Sequence, residues 1–259
     1  MDILKHKIVV LAGEYDTTPV FYNTLKNEFN VVKVVIERPL PRSVMLRNRA
    51  KKLGALTVLG QILFLLLAVP FLKKEGRERI ENIKAENGLD DSPIDEKLVV
   101  RVDSVNSPAC IAILRDLRPD LVLVHGTRII SQDVLDAAGV PFMNIHAGIT
   151  PAFRGSHGGY WALAEGKAEL CGVTVHLIDK GIDTGGILGQ KIVRPGEADN
   201  FLTYPYLQLA AGLRILKEKI KKHFEGGLRQ IPAMRVESGL FSHPTLWKYL
   251  LVRIKKGVK

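Results

Sequence analysis

Short apolar runs rich in β-branched residues alternate along the chain with polar-containing segments of helical length. The apolar runs predict seven strands, at residues 7–13, 31–36, 97–102, 120–126, 141–146, 172–178 and 187–193. The segments between them predict helices near residues 18–29, 76–87, 107–117, 131–138, 158–166 and 203–225. Strands that alternate with helices form crossover units, so the pattern predicts an α/β fold with a mostly parallel, Rossmann-like sheet and helices on both faces.

One segment does not fit this alternation. Residues 55–72 (ALTVLGQILFLLLAVPFL) are almost continuously apolar, with two lysines on either side, and approach the length of a membrane-spanning helix. A span would put the first two strands on one side of a bilayer and the remaining strands on the other, so that one sheet would not form. The alternatives are a helix lying shallowly in a membrane interface, a buried helix, or a contact between subunits.

The formal net charge of +10 is concentrated in two segments. Residues 38–84 hold 11 Lys or Arg against 3 Glu, and residues 214–259 hold 12 against 3. We therefore predict a catalytic domain at residues 1–227 with a basic apolar insertion at 38–84, and a basic C-terminal extension at 228–259. The end of the extension, PTLWKYLLVRIKKGVK, again mixes aromatic and basic residues. Peripheral contact with an anionic membrane surface, a solvated basic end and a homodimer interface all fit this composition.

Several functional classes are disfavoured by missing motifs. The loop AGEYDTTP after the first strand lacks the glycine spacing of a dinucleotide site, and no P-loop is present. In RGSHGG, Arg154 stands where a nucleophile elbow requires glycine. The basic segments contain no recognition helix, zinc module or aromatic sheet motif, so we expect no nucleic-acid partner.

The cysteines and the first residues suggest where the protein works. Cys110 and Cys171 lack metal-ligand spacing and are expected to be buried thiols in a reducing compartment. The start, MDILKHKIVVLAGEYD, lacks the apolar run and cleavage site of a secretory signal. We expect a cytoplasmic protein, located peripherally on the inner face of the cytoplasmic membrane if the apolar segments bind lipid. No metal site is predicted.

Three polar residues indicate chemistry at the end of the fifth predicted strand. Asn144 and His146 are two positions apart, so they share one face of a strand that should bury apolar groups. The loop GIDTGG after the next strand brings Asp183 toward the same crevice. Singly, each residue has an ordinary explanation in a core or a turn. Together they supply an amide, an imidazole and a carboxylate, which suit acyl transfer.

The motifs around these residues resemble the folate-dependent formyltransferases, a family that includes glycinamide ribonucleotide, methionyl-tRNA and sugar N-formyltransferases. The resemblance rests on NIH (144–146), on Pro151, Arg154 and Gly155, and on GVTVHLIDKGIDTGGIL (172–188). It covers roughly residues 110–195 in motifs and extends back to residue 7 as likeness of fold.

The resemblance implies a catalytic trio of Asn144, His146 and Asp183 and the formyl donor 10-formyltetrahydrofolate. An acceptor amine would attack the formyl carbon while Asn144 and a protonated His146 stabilise the oxyanion. Asp183 would raise the pKa of His146 and help to carry the amine proton to the leaving nitrogen.

The resemblance also implies binding residues. The donor pocket would be lined, mainly through backbone groups, by the loop residues His125, Gly126, Thr127, Arg128, Ile129 and Ile130; an acidic neighbour is an alternative partner for the Arg128 side chain. The acceptor side would use Arg154, Gly155, His157 and Tyr160, although a place in the core fits Tyr160 and Trp161 as well. His176 is expected to be a core histidine.

The acceptor is narrowed by departures from the family pattern. The first loop lacks the phosphate cradle of glycinamide ribonucleotide enzymes, and only 66 residues follow Val193, in place of the β-rich domain of methionyl-tRNA enzymes. We therefore expect a small-molecule amine, foremost an amino sugar of a surface polysaccharide linked to a nucleotide or a lipid. A 10-formyltetrahydrofolate hydrolase and a non-catalytic membrane-associated scaffold are the alternatives.

Overall fold

A seven-stranded sheet forms the centre of the computed structural model, which describes residues 3–259. The spatial order of its strands is β3-β2-β1-β4-β5-β7-β8, and a separate two-stranded sheet pairs β6 with β9. The strands are β1 (Ile8–Gly13), β2 (Val31–Glu37), β3 (Val99–Val102), β4 (Leu121–His125), β5 (Phe142–His146), β6 (Arg154–Gly155), β7 (Gly172–Leu177), β8 (Ile187–Ile192) and β9 (Leu240–Phe241). All seven strands predicted from the sequence are present.

Nine α-helices connect and flank these strands within the described residues. They are α1 (Thr17–Lys26), α2 (Arg42–Leu53), α3 (Ala55–Leu63), α4 (Val69–Asn87), α5 (Pro108–Leu117), α6 (Gln132–Ala138), α7 (Gly158–Ala164), α8 (Tyr204–Phe224) and α9 (Leu246–Lys256). A π-helical turn, Phe64–Ala68, joins α3 to α4, and short 3₁₀ turns lie at Ile3–Lys5 and Ala168–Leu170. The α/β class predicted from the sequence is confirmed.

The direction of the strands determines where loops meet. β1 to β5 run parallel within the sheet, whereas β7 is antiparallel to β5 and β8 is antiparallel to β7. The carboxyl ends of β1, β4 and β5 therefore meet at one edge of the sheet. Because β7 runs the other way, the loop that follows it begins at the opposite edge and must return over the sheet to approach the end of β5.

Both faces of the sheet are covered, which explains the continuous apolar runs of its central strands. Alternate residues of β1 point to opposite sides: Ile8 and Val10 pack in a core with α1 and α8, while Val9 and Leu11 pack in a core with α5 and α6. These two cores fix the positions of the strand ends.

A third hydrophobic cluster lies outside the sheet and joins the insertion to the C-terminal extension. Phe64 and Leu72 of the insertion pack there with Tyr249 of the extension and with Tyr160 and Phe201 of the body. The ring of Phe64 lies 4.9 Å from that of Tyr249 and 5.1 Å from that of Phe201. The two basic segments seen in the sequence thus share one core.

The apolar segment is part of a long helix, Ala55–Asn87, which is long and apolar enough by composition to cross a membrane. Both ends of this helix return to one sheet, because β2 before it pairs with β3 after it. One side packs on the body, through buried residues such as Gly60, Phe64 and Leu72, while the other side exposes leucines. The helix therefore lies along the surface of the molecule. The helix predicted at 76–87 is its C-terminal part.

The extension is attached to the body before α9 begins. β9 pairs in parallel with β6, so Leu240 and Phe241 lie beside Arg154 and Gly155. Thr245 then caps α9 by accepting a hydrogen bond from the backbone N–H of Lys248. The division of the chain into a catalytic domain and an extension remains a prediction.

Candidate active site

The end of β5 presents two polar side chains on one face of the sheet. His146 is almost fully buried, and its Nε2 lies 2.6 Å from the carbonyl oxygen of Phe153. A carbonyl only accepts, so Nε2 carries a hydrogen and, in the neutral ring, Nδ1 is the basic nitrogen. Asn144, two residues earlier, is partly exposed on the same face.

Asp183 reaches these residues from the loop between β7 and β8. Its Oδ2 lies 3.3 Å from Nδ1 of His146 and accepts a hydrogen bond of 2.8 Å from the backbone N–H of Gly155. Its Oδ1 lies 3.6 Å from Nε2 of His176. The loop begins at the edge of the sheet opposite to the end of β5. It therefore crosses the face of the sheet to bring the carboxylate to His146.

The composition of the loop explains how it turns back. Asp183 has a φ of +53°, a left-handed conformation that Asp tolerates better than most residues. Asp179 holds the turn, since its Oδ1 accepts hydrogen bonds from the Gly181 N–H and the Thr184 hydroxyl. A β-carbon at Gly185 would overlap the carbonyl oxygen of Leu177, so only glycine fits there.

His176 is a site residue that the sequence analysis had assigned to the core. It is buried, yet it lies directly opposite Asn144 in the antiparallel register of β5 and β7. Its Nδ1 donates to the Leu177 carbonyl at 2.6 Å, so in the neutral ring Nε2 accepts from the Asn144 amide nitrogen at 3.1 Å. The sequence signal was its place inside GVTVHLIDKGIDTGGIL, but the strand direction that sets its partner is not visible there.

The protonation expected for His146 needs correction. Burial lowers the pKa of His146 below its usual value, and the Asp183 carboxylate opposes this shift without reversing it. Burial by itself would raise the pKa of Asp183, but the nearby rings of His176 and His146 and the hydrogen bond from the Gly155 N–H lower it overall. Near neutral pH the ligand-free site therefore holds an ionised Asp183 beside an uncharged His146.

A cavity of about 630 Å³ opens in front of these residues. Its size lies in the range of pockets that take small molecules. It is lined by Asn144, His146 and Asp183, by His176, and by all six residues predicted for the donor pocket: His125, Gly126, Thr127, Arg128, Ile129 and Ile130. The structure brings the predicted trio and the predicted donor loop together in one cavity.

Within the donor loop, two side chains have structural partners. The Arg128 guanidinium pairs with Glu37 at 3.0 Å and also donates to the backbone carbonyls of Arg38 and Asp103. His125 lies 2.9 Å from the Thr17 hydroxyl, and burial lowers the pKa of His125 to about 4. Arg128 thus has the acidic partner considered as an alternative. Its role is to tie the loop to the end of β2.

The residues predicted for the acceptor side lie in different places: some line a cavity, and others pack in the cluster outside the sheet. Gly155 lines the main cavity, whereas Arg154 lines a second cavity of about 350 Å³ on the other side of Asp183. Tyr160 is 1% exposed in the cluster outside the sheet, and the His157 ring packs 4.4 Å from that of Phe201. We therefore correct the prediction for His157 and Tyr160: they pack in this aromatic cluster and do not line the cavity.

Further residues line the cavity that were not predicted as binding residues from the sequence. Arg49, Lys52 and Leu53 from α2, Gln61 from α3, and residues 240–243 from the extension all line it. No local motif marks them, because the insertion and the extension meet the site only in three dimensions.

The remaining groups to consider are the cysteines and the other side chains that commonly bind metals. Within residues 3–259, no group of three or more His, Cys, Asp or Glu side chains is arranged to hold a metal ion. Cys110 and Cys171 are free and buried, as predicted, and burial raises the pKa of each thiol to about 11.

Comparison with known proteins identifies the family. The sequence model described as formyl transferase matches residues 73–201. A methionyl-tRNA formyltransferase of Caldanaerobacter subterraneus subsp. tengcongensis is 32% identical over 132 residues, which are 50% of this chain and 42% of that protein. A phosphoribosylglycinamide formyltransferase structure from Streptococcus pneumoniae has a TM-score of 0.54 at 23% identity, covering 85% of this chain and 99% of that one. A sugar N-formyltransferase structure from Shewanella sp. has a TM-score of 0.56 at 15% identity, covering 91% and 76%.

Residues 73–201, about half of the chain, match the formyl transferase family, as the motifs predicted. Members of this family are enzymes that catalyse N-formylation, with 10-formyltetrahydrofolate as the formyl donor. The structural similarities, both below 25% identity, show the fold. The chain spans less than half the length of the curated relatives that it matches.

Proposed function

We propose that this protein transfers a formyl group from 10-formyltetrahydrofolate to the amine of a small acceptor. The observation that carries the proposal is the convergence of Asn144, His146 and Asp183 at one cavity, which the loop of residues 125–130 also lines. The match of residues 73–201 to the formyl transferase family supports 10-formyltetrahydrofolate as the donor. The cavity has room for the reacting ends of two small molecules.

The first step forms a bond between the acceptor nitrogen and the formyl carbon. Negative charge then develops on the formyl oxygen, and a fixed hydrogen-bond donor lowers the barrier by stabilising that charge. The Asn144 amide has two hydrogens, of which one is used by His176 at 3.1 Å. The second hydrogen is the one we assign to the oxyanion. His176 thereby orients Asn144.

The second step moves a proton and breaks the old bond. The attacking amine becomes cationic and must lose a proton, for which the basic Nδ1 of His146, beside the Asp183 carboxylate, is the acceptor. The resulting imidazolium is stabilised by Asp183 and returns the proton to the leaving nitrogen as its bond to the formyl carbon breaks. The products are the N-formyl acceptor and tetrahydrofolate.

For the acceptor we propose an amino sugar of a surface polysaccharide. Solved structures with the same fold include a sugar N-formyltransferase from Shewanella sp. and a 4-N formyltransferase from Francisella tularensis. Methionyl-tRNA is the second candidate, because the curated relatives at 32% to 35% identity are methionyl-tRNA formyltransferases.

A panel of acceptors tests these proposals. The purified protein would be incubated with 10-formyltetrahydrofolate and, separately, with nucleotide-linked amino sugars, glycinamide ribonucleotide and methionyl-tRNA, and products would be identified by mass spectrometry. Formylation of an amino sugar is the expected result. Formylation of methionyl-tRNA alone would favour the second candidate, and tetrahydrofolate released equally fast without any amine would indicate a hydrolase.

We further propose that the protein acts peripherally at the inner face of the cytoplasmic membrane. Support comes from two neighbouring rows of exposed apolar side chains, which we call the apolar surface: Leu56, Leu59, Leu66, Leu67 and Phe71 on one row, and Trp247, Leu250, Leu251 and Ile254 on the other. The rows adjoin, since a β-carbon at Gly60 would overlap the Trp247 indole and the Arg253 guanidinium lies 5.6 Å from the Phe71 ring. Lys73, Lys74 and Lys255 beside them make no ion pair within residues 3–259, which suits anionic head groups.

Vesicle sedimentation with matched variants tests the membrane proposal. Leu66→Gln, Leu67→Gln and Ile254→Gln together remove exposed apolar groups from the apolar surface, while Ile192→Gln, Ile231→Gln and Met234→Gln remove similar groups elsewhere. We expect phosphatidylglycerol vesicles at low salt to bind the wild type and the second triple variant. The first triple variant should no longer bind them. Equal binding by all three proteins, or a wild-type dimer that only the first variant dissociates, would contradict membrane contact.

A further inference from the structure

Two cations of the insertion face the active-site cavity without a carboxylate partner. Arg49 and Lys52 are three residues apart on α2 and so lie on one side of that helix, and both line the cavity. Neither makes an ion pair with any residue in the described part of the chain, 3–259, whereas Arg79 and Lys84 farther along the insertion are paired. Unpaired cations beside a substrate cavity attract anionic ligands.

A buried amide with an unsatisfied oxygen lines the same cavity. Gln61 is 2% exposed, and its Nε2 donates to the His243 carbonyl at 2.7 Å. Its Oε1 has no hydrogen-bond partner among residues 3–259, although Gln61 lines the cavity. Buried acceptors of this kind are normally satisfied, so a hydroxyl or amino group of a ligand is the expected donor.

These groups are held in place by the packing between the insertion and the extension. The Trp161 indole donates to the Ser242 carbonyl at 2.8 Å, and His243 packs with its ring 5.1 Å from that of Phe64. Arg49, Lys52 and Gln61, like Ser242 and His243, lie outside residues 73–201, the part that matches the family. The subsite is therefore built from segments outside the part of the chain that matches the family.

We infer that Arg49, Lys52 and Gln61 form an acceptor subsite for an amine that carries a phosphate or diphosphate group. Arg49 and Lys52 bind the phosphate, and Gln61 Oε1 accepts a hydrogen bond from a hydroxyl or amino group of the same molecule. The inference rests on the proposed formyl transfer, whose acceptor it specifies as an anion. Phosphate of this kind belongs to nucleoside-diphosphate sugars and to lipid-linked sugars.

The experiment compares two pairs of substitutions on the same helix. Arg49→Gln with Lys52→Gln removes the cations that line the cavity, while Arg47→Gln with Lys51→Gln removes exposed cations that do not line it. Inorganic pyrophosphate is the first probe, with affinity measured by calorimetry. We expect the first pair to weaken binding more than about tenfold and the second less than about twofold. Equal weakening by both pairs would show general charge attraction and overturn the subsite.

Two further probes distinguish the source of the phosphate. Uridine diphosphate tests the nucleotide source, and phosphatidylcholine vesicles doped with phosphatidic acid test the lipid source. If a probe binds the Arg47/Lys51 variant but not the Arg49/Lys52 variant, the subsite is supported and that probe identifies the source of the phosphate. If neither probe separates the two pairs, the inference is wrong.

A donor measurement separates failure of the subsite from failure of the proposed function. Thermal stabilisation by a stable folate analogue of the donor is read on the same variants, and we expect it to be unchanged in both pairs. Loss of that stabilisation in the Arg49/Lys52 pair would assign these residues to the donor and overturn the inference. Absence of stabilisation in the wild type would count against formyl transfer itself, while the pyrophosphate result would still report on the subsite.

Discussion

The shared part of the chain and its flanking segments contribute different groups to one cavity. Asn144, His146 and Asp183 come from residues 73–201, which match the family, and stand on or beside the central sheet. Arg49 and Gln61 come from the insertion, outside that match. Under the proposed function, the shared fold supplies the residues that carry out the reaction, and the segments that pack on it supply the residues that select the acceptor.

The two regions also differ in how they are stabilised. The sheet is covered on both faces by helices, whereas the insertion and the extension pack against each other in one aromatic cluster centred on Phe64, Tyr249 and Phe201. Damage to this cluster should therefore disturb the acceptor side first and leave the catalytic trio in place.

Phe64→Ala should lower the free energy of unfolding by about 3–5 kcal/mol, because it removes a fully buried ring from the cluster. Leu66→Ala on the same helix removes a side chain that is 65% exposed and should cost less than about 0.5 kcal/mol. Urea unfolding of both variants measures the difference. Similar losses for the two would mean that the insertion is not held by this cluster.

Asn144→Ala should lower kcat/KM by about 10²–10³-fold, the usual loss when an oxyanion donor is removed. Asn144 is partly exposed and its side chain is hydrogen-bonded to His176, so the free energy of unfolding and the binding of a folate analogue should change little. Steady-state kinetics with the acceptor found in the panel gives the value. A fall in stability with unchanged kcat/KM would make Asn144 structural.

Acid should weaken the aromatic cluster through its histidines. Burial lowers the pKa of His157 to about 3 and that of His243 to about 4, whereas the unfolded chain takes up protons near pH 6.5. The free energy of unfolding is therefore highest above pH 6.5. Below that pH it falls by about 1.4 kcal/mol per pH unit for each histidine.

Urea unfolding between pH 7.5 and pH 5 measures how the free energy of unfolding depends on pH. His243→Gln removes one of the two titrating groups, so its stability should fall less steeply than that of the wild type. A wild-type slope that His243→Gln does not change would show that this histidine is protonated without cost in the folded state.

Much of the fold was predictable because its signals are local. A strand buried on both faces needs a continuous apolar run, which marked β1 and β4, and polar residues inside such a run marked Asn144 and His146. Asp183 was predicted from its glycine-rich loop, although the loop reaches the site from the opposite edge of the sheet.

The rest depends on contacts between distant segments. His176 belongs to the site because β7 runs antiparallel to β5, and strand direction is not encoded in an apolar run. His157 has a left-handed φ of +59°, so α7 begins there and carries Tyr160 into the core, away from the cavity. The prediction of a protonated His146 was wrong because burial lowers the pKa of this histidine more than the neighbouring Asp183 carboxylate raises it.

The most direct test of the central claim is thermal unfolding with and without a stable folate analogue of the donor, in the wild type and in the Arg49/Lys52 variant. If residues 125–130 and the trio form a donor site in the shared fold, the analogue at about 100 times its dissociation constant should stabilise both proteins by about 2.7 kcal/mol. No stabilisation of the wild type at high analogue concentration would contradict the account.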